Sequence, residues 1–558
     1  MTRVRKAWVS GVLALLMVLV AACGSNNGNN TASPSGSAAS SPSSSAAASG
    51  TAASGGADQP LYIGLVNPVT TFDVFNLDNA GIYVNSFMSD TLIALNSSYG
   101  FDPKLAESIE TADNQNFTIK LNKSAKWSDG EPFTADDVEF TLRMFTDASV
   151  KTLTNITFVA GLNEAGKRDE GQTELPFFQK VDDYTFIIKT KNPMETDQFK
   201  SQFGTYFRYL PEHVLKDVAP ADLNKNEFMM NPTVTNGAYK FVKFAKDQYV
   251  QLAANELYYE GAPAIKDIYI KMMPATNLAA QLQTGDIQLT SPGVGLIPVQ
   301  DFDKVANMAN VTTGYGDANN PNILFLNTKK FPNPKVRQAI AYAMNRQLLV
   351  DQLLKGQGDL VDGMLGRNHP YYNKDIPLYS YDPEKAKQLL KEADWDFGQT
   401  IEFLVPTGNK IREQASDIVA ENLKAVGLKV QVTKLDFPTT LQRALKHDYD
   451  LTVVNLGFIL DPGSVFGMFL TGVGFNIPDY SNPEVDKLIA AGAQELDPSK
   501  RFEIYKQVQQ ILHDEVPIIA FYADKQMYAK AKNLDLRKGL ETSAVGLTNN
   551  VSKWTFTP

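Results

Sequence analysis

The sequence predicts an α/β body of two or three domains, carried behind a leader and a flexible tether. Three observations lead there. About 500 of the 558 residues have globular composition, more than one core goes on filling. Runs of strand character interleave with runs of helical spacing along that length. Before them, residues 24–58 hold Gly, Ser, Asn, Ala, Thr and Pro with one Asp, so nothing larger than Ala is available to bury and no core can form.

The first segment begins with Arg3, Arg5 and Lys6 and continues in an apolar run over 12–22. Eleven residues fall short of the roughly 20 that a spanning helix needs, but they suit the central part of a cleavable leader. Cys23 ends the run and is the only cysteine in the chain, which rules out a disulfide framework and a thiolate metal cluster. The stretch after it, read as a flexible coil, has a root-mean-square reach of about 30–35 Å.

The body's elements follow in order. "FTIKL" (117–121) and "YTFIIKT" (184–190) read as strands by alternation and by β-branched and aromatic content. Between them "WSDGEPF" (127–133) is a turn built by Asp129-Gly130 and Pro132. Thr134, Ala135 and Asp136 then open a helix that packs through Val138, Phe140, Leu142 and Phe145. Apolar residues at three and four spacing predict one amphipathic helix over 336–354, stopped by Gly356. In "YDPEKAKQLLKEADW" (381–395) Asp382 supplies the N-cap and Pro383 the first turn. Two further helices are expected over 483–496 and 499–515.

Charge and motif content narrow the function classes. Without residues 1–22, 62 acidic side chains face 49 basic ones, a net charge of −13, which argues against nucleic acid and against a basic membrane-binding face. "GLNEAGKR" (161–168) has the spacing of a phosphate-cradling loop, but Arg168 stands where a hydroxyl should hold magnesium, and Gly171 and Pro176 follow where a helix should start. "GVGLIP" (293–298) opens like a dinucleotide fingerprint and then places Pro298 at the third glycine, so it reads as a turn. His213, His369, His447 and His513 are scattered without ligand spacing, and no nucleophile-elbow or zinc-protease motif occurs. No cofactor, no metal and no catalytic residue is expected.

The segment 105–145, "LAESIETADNQNFTIKLNKSAKWSDGEPFTADDVEFTLRMF", resembles the signature region of the family 5 solute-binding proteins of ABC importers, the oligopeptide, dipeptide and nickel receptor group. Collinear matches follow at 235–244, 282–291, 324–346, 381–395 and 474–489, so the resemblance covers nearly the whole mature chain. Gln288 and Asp394 depart from the family's usual Asp and Gly. Val20-Ala21-Ala22-Cys23 likewise resembles a bacterial lipobox, implying cleavage before Cys23 and a lipid on its sulfur.

The resemblance implies a periplasmic-binding-protein-like fold of type II, in its large three-domain form, with two lobes closing over a ligand cleft. Carried onto this chain, residues 1–22 are the leader and 23–58 the lipidated cysteine and linker. Domain I would comprise 59–89, 214–320 and 523–558, inserted domain II 90–213, and domain III 321–522. It further implies a monomeric receptor for peptides, not an enzyme, anchored at the extracellular face of a bacterial membrane and serving a permease and its ATPase subunits. A sugar or metal-chelate ligand on the same fold, or a surface enzyme or chaperone, stands as the alternative.

A peptide's ammonium end needs a carboxylate, because burying an unpaired charge costs several kcal/mol. The family places one just after a Gly-aromatic pair. Here "NLGFILDPGSVF" (455–466) puts Asp461 three residues after Phe458, with Gly457 before it and Asn455 where some relatives have Arg. Asp461-Pro462 reads equally as an ordinary turn starter. Looser matches bring Asp78, Ser291 and Tyr522 to the cleft.

Overall fold

The computed structural model describes residues 59–319, 321–455, 457, 459–537 and 548–557. Cys23, the leader, the linker and Phe458 lie outside the described residues.

Two mixed sheets form the backbone of the molecule. In the first, seven strands run in the order Val311–Tyr315, Met527–Ala531, Leu289–Thr290, Leu61–Leu65, Asp267–Met272, Tyr249–Ala254, Tyr239–Ala245. Leu61–Leu65 is parallel to both of its neighbours, and the outer pairs are antiparallel. In the second, six strands run Gly358–Asp359, Ile518–Asp524, Pro321–Leu326, Leu451–Asn455, Thr400–Pro406, Lys429–Leu435, the last three mutually parallel. Each sheet carries an apolar cluster on both faces. That is why Pro321–Leu326 is buried at all six positions, as a central strand covered on both sides must be.

A third body has an antiparallel four-stranded sheet, Ala106–Thr111, Asn116–Leu121, Thr185–Lys189, Phe178–Asp182, with its own apolar cluster. The strands expected at 117–121 and 184–190 form its centre. Helix Ala135–Phe145 packs on it, opened by a capping box in which Thr134 and Asp137 satisfy each other's backbone N–H. Val138, Leu142 and Phe145 are buried and Phe140 partly so, after a turn in which Gly130 takes φ 104°. Lys167 of the phosphate-loop lookalike donates to the carbonyls of Phe145 and Val150, and so fastens this loop to the helix end.

Helix starts in the six-stranded half repeat one chemistry. Asn333-Pro334, Asp382-Pro383, Asp461-Pro462, Asn482-Pro483 and Asp497-Pro498 each place an acceptor side chain at the N-cap and a proline in the first turn. The single helix expected over 336–354 is instead broken. Pro334–Ala343 ends at Met344, whose backbone is extended (φ −83°, ψ 117°), and Asn345 caps a new start at Arg346–Leu348. The break has a tertiary cause: buried Arg346 donates to the carbonyls of Val361, Ala520 and Tyr379 and pairs with Asp362, and Asn422 accepts from the Asn345 N–H.

Candidate ligand cleft

Strand registers show which ends of the two sheets meet. Tyr315 pairs with Met527, and Thr313 with Ala529, which also pairs with Thr290. Strand Val311–Tyr315 therefore ends at the carboxyl end of Leu61–Leu65 and Leu289–Thr290. On the other sheet Asn322 pairs with Asn455, the last residue of a strand parallel to Thr400–Pro406. The chain crosses between the sheets from Tyr315 to Pro321 and back from Asp524 to Met527. Both crossings join carboxyl ends, and a crevice between carboxyl ends is where α/β folds bind ligands. Gln526 ties the crossings together: its carbonyl accepts from Gly316 N–H at 2.9 Å and its Oε1 from Gly293 N–H at 2.6 Å.

Side chains meet across this crevice. Tyr99, from the four-stranded body, donates to Asn319 Oδ1 at 3.0 Å, and its ring lies 6.4 Å from that of His369. Gln202, in the π-helical turn Lys200–Gly204, donates to Asp461 Oδ2 at 3.2 Å. Lys355 reaches Asp303 at 2.5 Å. The loop before His369 presses on the crossing itself: a Cβ on Gly366 would lie 2.5 Å from the Ala318 carbonyl oxygen.

Asp461 is engaged on both oxygens. Arg501 Nη2 donates to Oδ1 at 2.5 Å, and Oδ2 accepts from Ser464 N–H at 2.8 Å, Ser464 Oγ at 2.9 Å and Gln202. Both side chains of the ion pair are 1 % exposed. Burial alone would raise the carboxyl, but the Arg501 charge and the hydrogen bonds from Arg501 and Ser464 outweigh it and hold Asp461 below the usual carboxylate range. Arg501 is fixed in turn by the Gly492 carbonyl at 2.9 Å and lies over the rings of Tyr371 and Tyr505. His369 steadies the preceding loop. Its Nδ1 accepts from Tyr371 N–H, which leaves the proton on Nε2 to be donated to Ile459 O at 3.0 Å. Burial pushes this imidazole down to about 4, keeping it neutral.

The ammonium role expected for Asp461 stands as an expectation beside this geometry. Its charge is already matched by Arg501, and Gln202 from the four-stranded body donates to the same carboxylate. The turn-starter alternative describes what the residue does: it caps helix Pro462–Phe466.

The other expected residues fall into two groups. Asp78 caps helix Asn79–Met88, accepting from Gly81 N–H at 2.6 Å and Thr70 Oγ1 at 2.5 Å. Tyr83 of that helix shares a 2.8 Å hydrogen bond with buried Ser291, so Asp78 and Ser291 belong to one arrangement beside the seven-stranded sheet. Asn455 and Tyr522 are brought together, both facing Asn322 in register on the six-stranded sheet, with Gly457 just beyond. Tyr522 is buried, which pushes its phenol far up.

Sequence reasoning missed Gln202, Asn319, Asn322, Arg501 and Asp524. Asp524 ends strand Ile518–Asp524 and accepts from Asn322 Nδ2 at 3.2 Å and Gln526 Nε2 at 3.4 Å. Burial raises its carboxyl, and the groups that pull the other way are its own backbone N–H, Gln526 and Asn322, none of them charged. The legible signal was an acid closing the apolar run "PIIAFYAD".

Residues 100–476 match the family described as bacterial extracellular solute-binding proteins, family 5. The chain belongs to this family. Among its relatives, the oligopeptide-binding protein AppA of Bacillus subtilis is 28% identical over 527 residues, 88% of this chain and 91% of its own. The structure of that AppA in complex with a nonapeptide superposes with a TM-score of 0.71 at 26% identity, covering 90% of this chain and 99% of AppA. The substrate-binding protein CtaP of Listeria monocytogenes shares the fold, with a TM-score of 0.79 at 22% identity over 90% of this chain and 100% of its own. The family 5 chain is thus a type II binding protein of two lobes. It is an extracellular ligand carrier and not an enzyme. Among the described residues no helix is long and apolar enough to cross a membrane.

Proposed function

We propose that this protein is the substrate-binding component of an ABC peptide importer. It captures peptides between its lobes and hands them to a membrane permease driven by ATPase subunits. What carries the reading is end-to-end likeness to an oligopeptide-binding protein, joined to a crevice at the carboxyl ends of both sheets. Main-chain pairing with an extended peptide is blind to side-chain identity, and water-lined pockets then accept varied side chains. In this proposal Asn455, Gly457 and Tyr522 stand on one side of the ligand and Asp78 and Ser291 on the other. The three domains follow the division 59–89 with 214–320 and 523–558, 90–213, and 321–522. The carrier works as a monomer, tethered through a lipid on Cys23 to the outer face of the cell membrane.

Native mass spectrometry of protein purified from its own source tests the ligand class. Co-purified peptides, and saturable peptide binding without product, are expected. A bound sugar or metal chelate, or turnover of the peptide, would sink the reading. Cys23→Ala should free the protein from membrane fractions with its ligand affinity intact. A variant still membrane-bound after salt washing would remove the anchor from the proposal.

A further inference from the structure

The short segment 355–359 ties the two lobes together beside the crossings. One end of it is fastened to the six-stranded half: Gly358 and Asp359 pair with Asp524 and Ala523, the Gln357 carbonyl accepts from Lys525 N–H at 3.0 Å, and Asp359 pairs with Lys525 at 2.9 Å. Its other end, Lys355, reaches Asp303 at 2.5 Å. Asp303 lies on helix Phe302–Ala306, whose Phe302 and Val305 pack in the apolar cluster of the seven-stranded half, whereas Leu354, just before Lys355, packs in that of the six-stranded half. The ion pair therefore joins one lobe to the other. Tyr315, where the first crossing begins, packs edge-on against Phe302 and lies within electrostatic reach of both charges. Lys355 is aimed by its backbone. It takes φ 51° and Gly356 takes φ 77°, two left-handed residues in succession, the first of them in a conformation uncommon for a residue with a Cβ.

Asp303 is exposed and Lys355 partly so, and an ion pair in that setting adds little to folding stability. The balance between open and closed lobes is a different quantity, because two states close in free energy are redistributed by a contact made in only one of them. We propose that the Lys355–Asp303 pair is an electrostatic strap that holds the lobes together in the ligand-free protein and loosens as salt screens it. The closed arrangement is then partly populated before any ligand arrives, and ionic strength outside the cell sets how far.

The test is a charge swap read by small-angle scattering on ligand-free protein. Wild type, Lys355→Glu, Asp303→Lys and the double variant carrying both are compared at about 20 mM and about 500 mM salt, where screening is weak and strong. At low salt each single variant places like charges together, and its ratio of closed to open molecules should fall by about two- to fivefold, seen as a larger radius of gyration. The double variant restores an opposite pair and should return to the wild-type radius. High salt should bring wild type and the double variant toward the radius of the single variants. Urea midpoints should coincide for all four proteins, since both side chains lie at the surface, and this separates the strap from a folding defect. Equal radii at low salt in wild type and the single variants would overturn the proposal, as would a double variant that stays as open as the singles. A wild-type radius indifferent to salt would overturn it too. No peptide enters these measurements, so their failure leaves the peptide reading untouched, and a failure of that reading leaves the strap standing.

Discussion

Asp461 and Asp524 stand at the same end of the same sheet and carry the same functional group, yet their surroundings are opposite. Asp461 is sealed in with a cation, a helix cap and a hydroxyl; Asp524, a residue of intermediate burial, has two amides and, among the described residues, no cation. The first has its charge answered inside the protein, and the second meets only neutral donors. The difference teaches that in a binding cleft the carboxylate to follow is the unmatched one, and matching is a property of the folded surroundings rather than of the residue.

The strongest way to break this comparison is to remove the cation from the sealed pair. Arg501→Met should destabilise the protein by about 3–5 kcal/mol, because it leaves the Asp461 carboxylate buried and alone. Adding Asp461→Leu to it should recover much of the loss, and the cycle of urea denaturation curves gives the coupling. A loss below about 1 kcal/mol in the single variant would mean that the pair is not sealed.

The two acids should also tilt stability against pH in opposite directions. The folded-state value of Asp461 is lowered, so its contribution is fully present above the ordinary carboxylate pKa of about 4 and is lost as pH falls through the lowered value. The folded-state value of Asp524 is raised, so the folded protein holds its proton longer and stability falls as pH rises from about 4 through the raised value. Unfolding curves from pH 3 to 7 should therefore lose one acid-side slope in the variant lacking the Asp461–Arg501 pair and the reverse slope in Asp524→Asn. Identical profiles for both variants would erase the distinction.

A smaller effect is expected where the opposite lobe touches the sealed acid. Gln202→Ala removes the hydrogen bond to Asp461 and should shift the balance toward an open form by about 0.5–1.5 kcal/mol, read as a larger radius of gyration in small-angle scattering. An unchanged radius would show that this contact does not contribute to closure. The smallest effect sharpens the comparison from the other side. Asp524→Asn keeps the shape and removes an unmatched charge, so stability near neutral pH should stay within about 0.5 kcal/mol of wild type or rise. A large loss would reveal a partner for Asp524 and end its contrast with Asp461.

How much of this was legible in the sequence depended on distance along the chain. Asp382-Pro383, Asp461-Pro462 and Thr134 with Asp137 announce helix starts because cap and first turn are neighbours. The strands at 117–121 and 184–190 announce themselves through alternating burial. The break at Met344 and Asn345 does not, because its cause is Arg346 reaching carbonyls 15, 33 and 174 residues away. Asp461 suffers the same blindness: Arg501 lies 40 residues further on, in a helix whose sequence gives no sign that this side chain is buried. The overall architecture was readable through family resemblance, while the charge state of each cleft residue had to wait for its neighbours.

Gly366 gives the crossing a geometric tolerance of less than one methyl group. It shows no positive φ, so its backbone would admit any side chain, and what forbids one is the Ala318 carbonyl 2.5 Å from the position of a Cβ. Alanine at this position would act as a wedge, prising the loop from the segment that joins the two sheets. The seat of this loop on the crossing is thereby written partly into an atom that the protein does not have.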